Sequence, residues 1–212
     1  MIPSENTFAA LIGIEGNQWH YHIPRFQREY VWGKYNWSKL IEDIYENEPG
    51  HYMGSVICVH ETVEYSPEQE LIYEVVDGQQ RLTTLSILLA AIYYKLKNQV
   101  LQANPAIKEE DEYIIRCNSI RQRLVKKINL AKGATPSWAF KNDGNTYCLR
   151  VQPSTQEFNL EDYKYILSEA GILKDIKSPK NCGNRRLFKA FKYFLQSIPD
   201  DYNGLIDLLE RV

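Results

Sequence analysis

The stretch YEVVDGQQRLTTLSILLAAIYYKL, residues 73–96, runs from an apolar strand pattern into an apolar helix pattern through five polar residues. Short apolar runs are typical of buried strands, so we predict a strand over residues 71–76 that is buried on both faces. Leucine and isoleucine then recur at helical spacing and predict a helix that is apolar over a wide arc. The polar residues at the joint form what we call the DGQQR segment: Asp77, Gly78, Gln79, Gln80 and Arg81.

A ligand site and an ordinary turn both explain the DGQQR segment. A helix start has unpaired N–H groups and a positive dipole end, which favour phosphate, a nucleotide or a nucleic-acid backbone. Gly78 allows close approach, Arg81 adds a forked donor, and Thr83 and Thr84 add hydroxyls. Alternatively, Asp77 caps the helix, Arg81 pairs with an acid and the two glutamines lie on the surface. The GxxxxGK[ST] phosphate-binding loop is absent from the sequence.

Composition limits the class of protein. The 212 residues are 44% apolar and 25% charged, with a net charge of −2, which is typical of one large or two small globular domains. The charge excludes a strongly basic nucleic-acid-binding protein but not a local basic cleft. No apolar run approaches the roughly 18 residues of a membrane span, and the N-terminus lacks a signal-peptide pattern. We therefore predict a cytoplasmic protein without a membrane partner.

Neither cysteine nor histidine spacing indicates a metal site, and the identity of any metal ligand stays open. The cysteines are far apart, form no CxxC pair and are expected to be reduced thiols: Cys58, Cys117, Cys148 and Cys182. The histidines also lack metal-ligand spacing: His20, His22, His51 and His60. Asp162 and Lys164 form a bare D-x-K pair, which we predict to be solvated on an amphipathic helix.

Local patterns predict further elements along the chain. Helices are expected over residues 37–46 with Asn36 as N-cap, over 113–128, from the N-cap Asn159 to Gly171, over 187–198 and from Gly204 onward. Residues 51–60 are strand-like, and residues 131–146 are expected to be irregular. The composition changes near residue 97, which predicts a mixed domain over 1–97 and a mainly helical region over 98–212. Because the last helix pattern reaches the final residue, we expect a nuclease domain or partner beyond it.

A second motif, IPRFQREYVWGKYNW at residues 23–37, interleaves basic and aromatic side chains. Arginine among aromatic rings can hold the face of a base or sugar while its guanidinium reaches a phosphate. Arg25, Arg28 and Lys34 are the cations, and Tyr30 and Trp32 are among the rings. Alternatively, the segment is a packed loop in which the rings are core and the arginines reach solvent.

Together these motifs resemble a known family. IPRFQREYVW, then HYMGSVICV, then YEVVDGQQRLTTL resembles the N-terminal domains of GmrSD-type modification-dependent restriction proteins. The resemblance is strongest over residues 23–96 and continues through most of the chain. It implies an α+β fold that is ParB/sulfiredoxin-like, with a small mixed sheet and helices followed by a mainly helical region. Sulfiredoxin-type relatives carry a cysteine at the equivalent turn, where this chain has Gln79 and Gln80, so thiol chemistry is not expected.

In relatives the DGQQR segment is associated with binding and hydrolysis of a nucleoside triphosphate and with control of DNA cleavage. The resemblance therefore implies a triphosphate with Mg²⁺ as cofactor. The implied catalytic residues are Asp77, Gln80 and Arg81. The implied cofactor-binding residues are Gln27, Arg28, Tyr30, Gly78, Gln79, Thr83 and Thr84. The implied nucleic-acid-binding residues are Arg25, Trp32 and Lys34.

Three functions remain open from the sequence. The first is a triphosphate-binding and hydrolysing regulatory domain of a restriction system; the others are a non-catalytic reader of modified DNA and a structural interaction domain. The expected partners are DNA, modified or plain, and a nuclease domain or subunit with an HNH-like motif; a homo-oligomer is compatible with the sequence. Because no HNH-like motif occurs in this sequence, DNA cleavage is not assigned to the chain.

Overall fold

The computed structural model describes residues 8–12, 19–60, 71–100, 112–129, 135–154, 156 and 158–212, which form an α+β fold. The helices are α1 (Phe8–Leu11), α2 (Lys34–Glu46), α3 (Gln79–Lys95), α4 (Glu112–Leu124), α5 (Asn159–Glu169), α6 (Arg186–Ser197) and α7 (Tyr202–Arg211). The strands are β1 (Trp19–His22), β2 (Ile57–Val59), β3 (Leu71–Asp77), β4 (Val125–Lys127), β5 (Ala139–Asn142), β6 (Asn145–Leu149) and β7 (Val151–Gln152). Leu96–Val100 is a π-helical turn and Cys182–Asn184 a 3-10 turn.

The first sheet has the strand order β2-β3-β1-β7, in which β1 runs parallel to both of its neighbours. Strand β2 is antiparallel to β3. The carboxyl ends of β1, β3 and β7 therefore meet at one edge of the sheet. Ligands of open α/β sheets bind outside this edge, and the DGQQR segment begins there with the last residue of β3.

The second sheet is antiparallel, with the order β4-β6-β5. Asp143 and Gly144 join β5 to β6 with φ values of 49° and 73°, the left-handed pair that a two-residue hairpin of type I′ requires. The prediction of irregular chain was therefore wrong over residues 139–146, which form this hairpin; residues 131–134 lie outside the described residues.

Helix α3 is buried on nearly all sides and is the central element of the core. It packs against α4, α5, α6 and α7, so little of its surface is left for water. A helix that is apolar over a wide arc needs such surroundings, and the prediction of this helix is confirmed. The predicted helices after residues 158, 186 and 202 are also confirmed.

Several boundaries differ from the predictions. Strand β3 is not buried on both faces, because only Val75 is fully buried, whereas Glu74 and Val76, which point to the other face of the sheet, are exposed. Gly33, not Asn36, is the N-cap of α2; the Asn36 side chain instead accepts a hydrogen bond from the Gly33 N–H at 3.2 Å. Phe158 is the N-cap of α5, one residue before the predicted position. Within residues 51–60 only β2 forms a strand. The helix predicted over 113–128 ends at Leu124, because the following residues form β4 and pair with β6.

Contacts cross the domain boundary predicted near residue 97. Strand β7 completes the first sheet, and α3 packs on helices from the second half of the chain. The boundary itself stays a prediction. No helix in the described ranges is both long and apolar enough to cross a bilayer.

His22, at the end of β1, gives the fold a pH dependence. Its pKa is lowered to about 4, first by burial and then by the charge of His20. In the unfolded chain, His22 takes up a proton near pH 6.5, whereas in the folded chain it does so only near pH 4. The free energy of unfolding therefore falls as the pH drops from 6.5 to 4, by about 3 kcal/mol at most. In urea titrations at pH 4.5 and 7, we expect His22→Gln to reduce the difference between the two free energies of unfolding; an unchanged difference would assign the pH dependence to other groups.

Candidate functional site

The Gln80 side chain holds the IPRFQREYVW motif against the start of α3. Its Oε1 accepts from the Val31 N–H at 2.8 Å and the Trp32 N–H at 3.3 Å, and its Nε2 donates to the Glu29 carbonyl at 3.0 Å. The side chain is 6% exposed. The Gln80 amide, which the resemblance implies to be catalytic, is therefore engaged with backbone groups of the other motif.

A buried chain of hydrogen bonds joins the same two motifs a second time. The Trp37 indole donates to the Tyr30 hydroxyl at 2.8 Å, and Thr84 donates to the Gln80 carbonyl at 2.7 Å. The Tyr30 and Thr84 hydroxyls are 2.8 Å apart, and since the Thr84 proton is used on Gln80, Tyr30 donates to Thr84. Burial raises the pKa of Tyr30, which keeps this proton in place. Tyr30 and Thr84 thus hold the site together.

The Gly-Ser pair of HYMGSVICV packs directly on the DGQQR segment. Gly78 has a φ of +86°, and a Cβ there would lie 2.8 Å from the Ser55 carbonyl oxygen. Gly54 has a φ of +104°, and a Cβ there would lie 2.5 Å from the Arg81 guanidinium carbon. Arg81 donates to the Ser55 carbonyl at 3.0 Å. Two glycines are therefore required where these segments meet.

We expect Gly78→Ala to lower the free energy of unfolding by about 2–3 kcal/mol, because left-handed strain adds to a clash with rigid backbone. Gly144→Ala is the matched control: its φ is +73°, but nothing lies within 4 Å of an added Cβ, so only strain is added. Urea unfolding followed by circular dichroism measures both. Equal losses would mean that the close approach to Ser55 is unimportant.

A cleft opens where the N-terminus of α3 meets the carboxyl ends of β1 and β7. Its cavity volume is about 10 Å³, which is room for about one water, and it is open to solvent. Its walls come from both motifs and from the residues after β7: Ile23, Arg28, Tyr30, Gln79, Gln80, Thr83, Pro153, Ser154 and Asn159. Five of the predicted site residues are therefore brought together here, and we call this the first cleft.

Gln79 and Arg28 are incompletely bonded in the first cleft. Gln79 is only 7% exposed, and its buried Oε1 has no hydrogen-bond partner among the described residues. A buried acceptor without a donor costs about 1–3 kcal/mol. Arg28 is exposed and has neither hydrogen bond nor ion pair within the described ranges. The first turn of α3 has no side-chain cap and no acidic residue. These features fit a ligand that carries negative charge and at least one hydrogen-bond donor.

A larger second cleft adjoins the first and shares Tyr30 and Asn159 with it. Its cavity volume is about 370 Å³, and its other walls are Glu29, Phe158, Asp162, Asn181, Asn184, Arg185, Arg186 and Leu187. Sequence reasoning assigned none of these residues to a site. The only available signals were the Arg185-Arg186 pair and an acidic residue among apolar positions of α5.

The Asp162–Arg185 ion pair forms the floor of the second cleft. Asp162 is 1% exposed. The Arg185 guanidinium donates to both of its carboxylate oxygens, at 2.6 Å from Nε and 2.5 Å from Nη2. The guanidinium also lies 4.3 Å from the centre of the Phe158 ring. Arg186 donates to the Val31 carbonyl. The prediction that Asp162 is solvated was therefore wrong, because Arg185 satisfies both of its oxygens inside the fold.

Other predicted site residues lie outside both clefts. Asp77 is exposed at the end of β3, opposite Ile57 of β2. Gln27 donates to the Val76 carbonyl at 3.0 Å and joins its loop to β3. Gly78, Arg81 and Thr84 pack within the fold. Arg25 and Lys34 are exposed, and Trp32 is half-buried. The arrangement also departs from a plain turn, since Gly78 rather than Asp77 is the N-cap of α3 and both glutamines are buried.

Comparison with known proteins adds one family match. No curated protein matches the chain. The family model described as GmrSD restriction endonuclease, N-terminal domain, matches residues 10–208 and thus covers both motifs, both clefts and both sheets. The chain therefore belongs to the family of GmrSD restriction endonuclease N-terminal domains.

Proposed function

We propose that the chain is the nucleoside-triphosphate-binding regulatory part of its restriction system, and that the two clefts together form its nucleotide site. The observation that carries the proposal is at the start of α3: neither the buried Gln79 Oε1 nor the neighbouring Arg28 has a partner among the residues that the structure describes. Family membership supports the restriction setting.

The open mouth of the first cleft suits the phosphates. The uncapped N–H groups of α3 and the positive end of its dipole favour an anion, and Arg28 supplies a formal positive charge beside them. The Thr83 side chain lines the same wall. The Gln79 Oε1 would accept from a donor that arrives with the ligand, such as a ribose hydroxyl or metal-bound water.

The second cleft suits the nucleoside. Phe158 offers a ring that is 46% exposed, and rings of this kind stack on bases. The side chains of Asn159, Asn181 and Asn184 line the same space, and their amides can both donate to and accept from a base edge or a ribose. Since Asn159 lines both clefts, one ligand can extend across the boundary between them.

Magnesium would enter with the nucleotide. Within the described ranges, no group of three or more His, Cys, Asp or Glu side chains could hold a metal ion. Mg²⁺ in nucleotide sites takes phosphate oxygens, one or two protein oxygens and several waters. Glu29 in the second cleft and Gln79 and Thr83 in the first carry suitable oxygens. The residues of the clefts therefore fit an ion held mainly by the phosphates.

The proposal assigns binding and no catalytic residue. Gln80 is engaged with three backbone groups, Arg81 packs on Gly54, and Asp77 lines neither cleft. Hydrolysis, which the resemblance implies, stays a prediction. Occupation of the clefts would license cleavage by a nuclease domain or subunit.

Isothermal titration of the purified chain with each of the four ribonucleoside triphosphates tests the proposal. We expect heat of binding with at least one triphosphate in the presence of Mg²⁺, and weaker binding of the corresponding monophosphate. No heat with any of the four, with or without Mg²⁺, would refute nucleotide binding.

The alternative of a modified-DNA reader predicts that Tyr30, Trp32 or neighbouring rings hold a modified base. Tyr30 is only 6% exposed and its hydroxyl is fully hydrogen-bonded, so it offers no free ring face for stacking. Comparison of modified and plain duplexes in gel shifts distinguishes the alternatives. Binding that is equal for both duplexes and sensitive to salt would argue against a reader.

A further inference from the structure

The second cleft contains a carboxylate without a partner in the described part of the chain. Glu29 lines the cleft and is exposed, and its carboxylate makes neither a hydrogen bond nor an ion pair with any described residue. The other charged groups of the cleft already have partners. Asp162 and Arg185 bind each other. Arg186 donates to the Val31 carbonyl. The cleft therefore offers an anionic acceptor to the molecule that occupies it.

The backbone of Glu29 is held in place although its side chain is not bonded. Its carbonyl accepts from the Gln80 Nε2 at 3.0 Å, and the next residue, Tyr30, is only 6% exposed. The Glu29 side chain thus begins at a fixed point on the wall of the cleft. Since the carboxylate has no part in this anchoring, a change of the carboxylate leaves the loop as it is.

Two asparagine amides of the second cleft lie at the ends of one short turn. Asn181 precedes the 3-10 turn Cys182–Asn184, and the Asn184 N–H donates to the Asn181 carbonyl at 3.0 Å. The guanidinium of Arg185, the next residue, donates to the Lys180 carbonyl at 2.8 Å and so closes the turn from both sides. Both asparagines line the same cleft as Glu29. The cleft therefore combines fixed amide donors with an anionic acceptor.

The four common ribonucleotide bases differ in what they offer to a carboxylate, which only accepts hydrogen bonds. Guanine has two adjacent donors, N1–H and the 2-amino group, and their spacing matches the two oxygens of a carboxylate. Adenine, cytosine and uracil each offer one donor group beside at least one acceptor atom, which a carboxylate repels. Guanine also has O6 and N7, two acceptors that amide N–H groups can bind. Guanine is therefore the base that best complements the second cleft.

We propose that the second cleft selects guanine, so that the nucleotide bound by the chain is a guanosine triphosphate. This inference rests on the proposed nucleotide site. Glu29 accepts from N1–H and the 2-amino group, the asparagine amides donate to O6 or N7, and Phe158 stacks on the base. With Glu29 engaged by the base, the oxygens of Gln79 and Thr83 are left for the waters of Mg²⁺.

Isothermal titration of the 212-residue chain with Mg²⁺ and each of five triphosphates tests the selection. The five are GTP, ATP, CTP, UTP and ITP, and ITP differs from GTP only by the missing 2-amino group. We expect GTP to bind at least about tenfold more tightly than each of the others, because one hydrogen bond to a charged group contributes a factor of about ten or more.

Glu29→Gln is the decisive variant, because it replaces one acceptor oxygen by a donor at almost unchanged size. Glu46→Gln is the matched control: it removes the same charge from an exposed residue of α2 that lines neither cleft. The ratio of two dissociation constants within one variant cancels any general effect of the lost charge on triphosphates. We expect Glu29→Gln to bring the ratios of GTP to ATP and GTP to ITP within about threefold, and Glu46→Gln to leave them unchanged. Thermal unfolding checks that both variants are folded.

The possible failures are distinguishable. Equal affinities for all five triphosphates, tightest binding of a base other than guanine, or a guanine preference that survives Glu29→Gln would overturn guanine selection and leave nucleotide binding intact. No heat with any triphosphate would refute the proposed nucleotide site and this inference with it.

Discussion

Gln80→Met is expected to lower the free energy of unfolding by about 2–3 kcal/mol. Methionine has a similar volume but cannot replace the bonds to Val31, Trp32 and Glu29, and backbone groups left without partners carry a penalty of about 1–3 kcal/mol. Urea unfolding followed by circular dichroism measures the loss. The loop that Gln80 holds also carries Arg28, so nucleotide affinity should fall with stability.

Gln79→Met is the matched control, because it changes the neighbouring residue of the same helix in the same way. The Gln79 Oε1 has no partner in the described part of the chain, so its removal should leave the free energy of unfolding within about 0.5 kcal/mol or raise it. We expect this variant to lose nucleotide affinity without losing stability. Equal destabilisation by both substitutions would contradict the different roles assigned to the two glutamines.

Arg28→Ala is expected to weaken nucleotide binding at least tenfold without affecting the fold. A hydrogen bond to a charged group contributes about 1.5–3 kcal/mol, which corresponds to a factor of ten or more in Kd. Arg28 is exposed and makes no bond within the described residues, so the free energy of unfolding should not change. Isothermal titration with the best triphosphate and Mg²⁺ gives the ratio of dissociation constants.

Arg25→Ala provides the control for this substitution. Arg25 is exposed three residues earlier in the same motif but lines neither cleft. Its removal should leave the dissociation constant within about twofold, since a charge in open solvent is screened over roughly 10 Å. Equal weakening by both substitutions would indicate long-range attraction rather than a contact with the phosphates.

Periodicity predicted the helices well and the small sheets poorly. Helix α3 and the final two helices carry apolar residues at helical spacing. This pattern can be recognised because it lies within one short segment of the sequence. The β5–β6 hairpin has short strands whose apolar residues do not dominate, and its Asp143-Gly144 turn is a known hairpin signal that we interpreted only as irregular chain. Strand β7 has two residues and is defined by pairing with β1, which no local pattern contains.

Five of the residues predicted from the sequence line the first cleft, but the sequence did not indicate which contacts each of them makes. Adjacent helix positions point about 100° apart, so the two glutamines have different neighbours, and only Gln80 bonds to the loop. Which glutamine bonds to the loop depends on the position of residues 29–32 in the tertiary structure, which the local sequence does not indicate. The second cleft was missed for the same reason, because the pairing of Asp162 with Arg185 joins two elements through a turn that carries no motif.

A crystal structure of the chain with Mg²⁺ and a non-hydrolysable nucleoside triphosphate tests the central claim most directly. We predict phosphate density within hydrogen-bonding distance of Arg28 and the first N–H groups of α3, a donor within 3.2 Å of the Gln79 Oε1, and the base beside Phe158. Triphosphate density beside Arg81 and Asp77, with both clefts empty, would contradict the account.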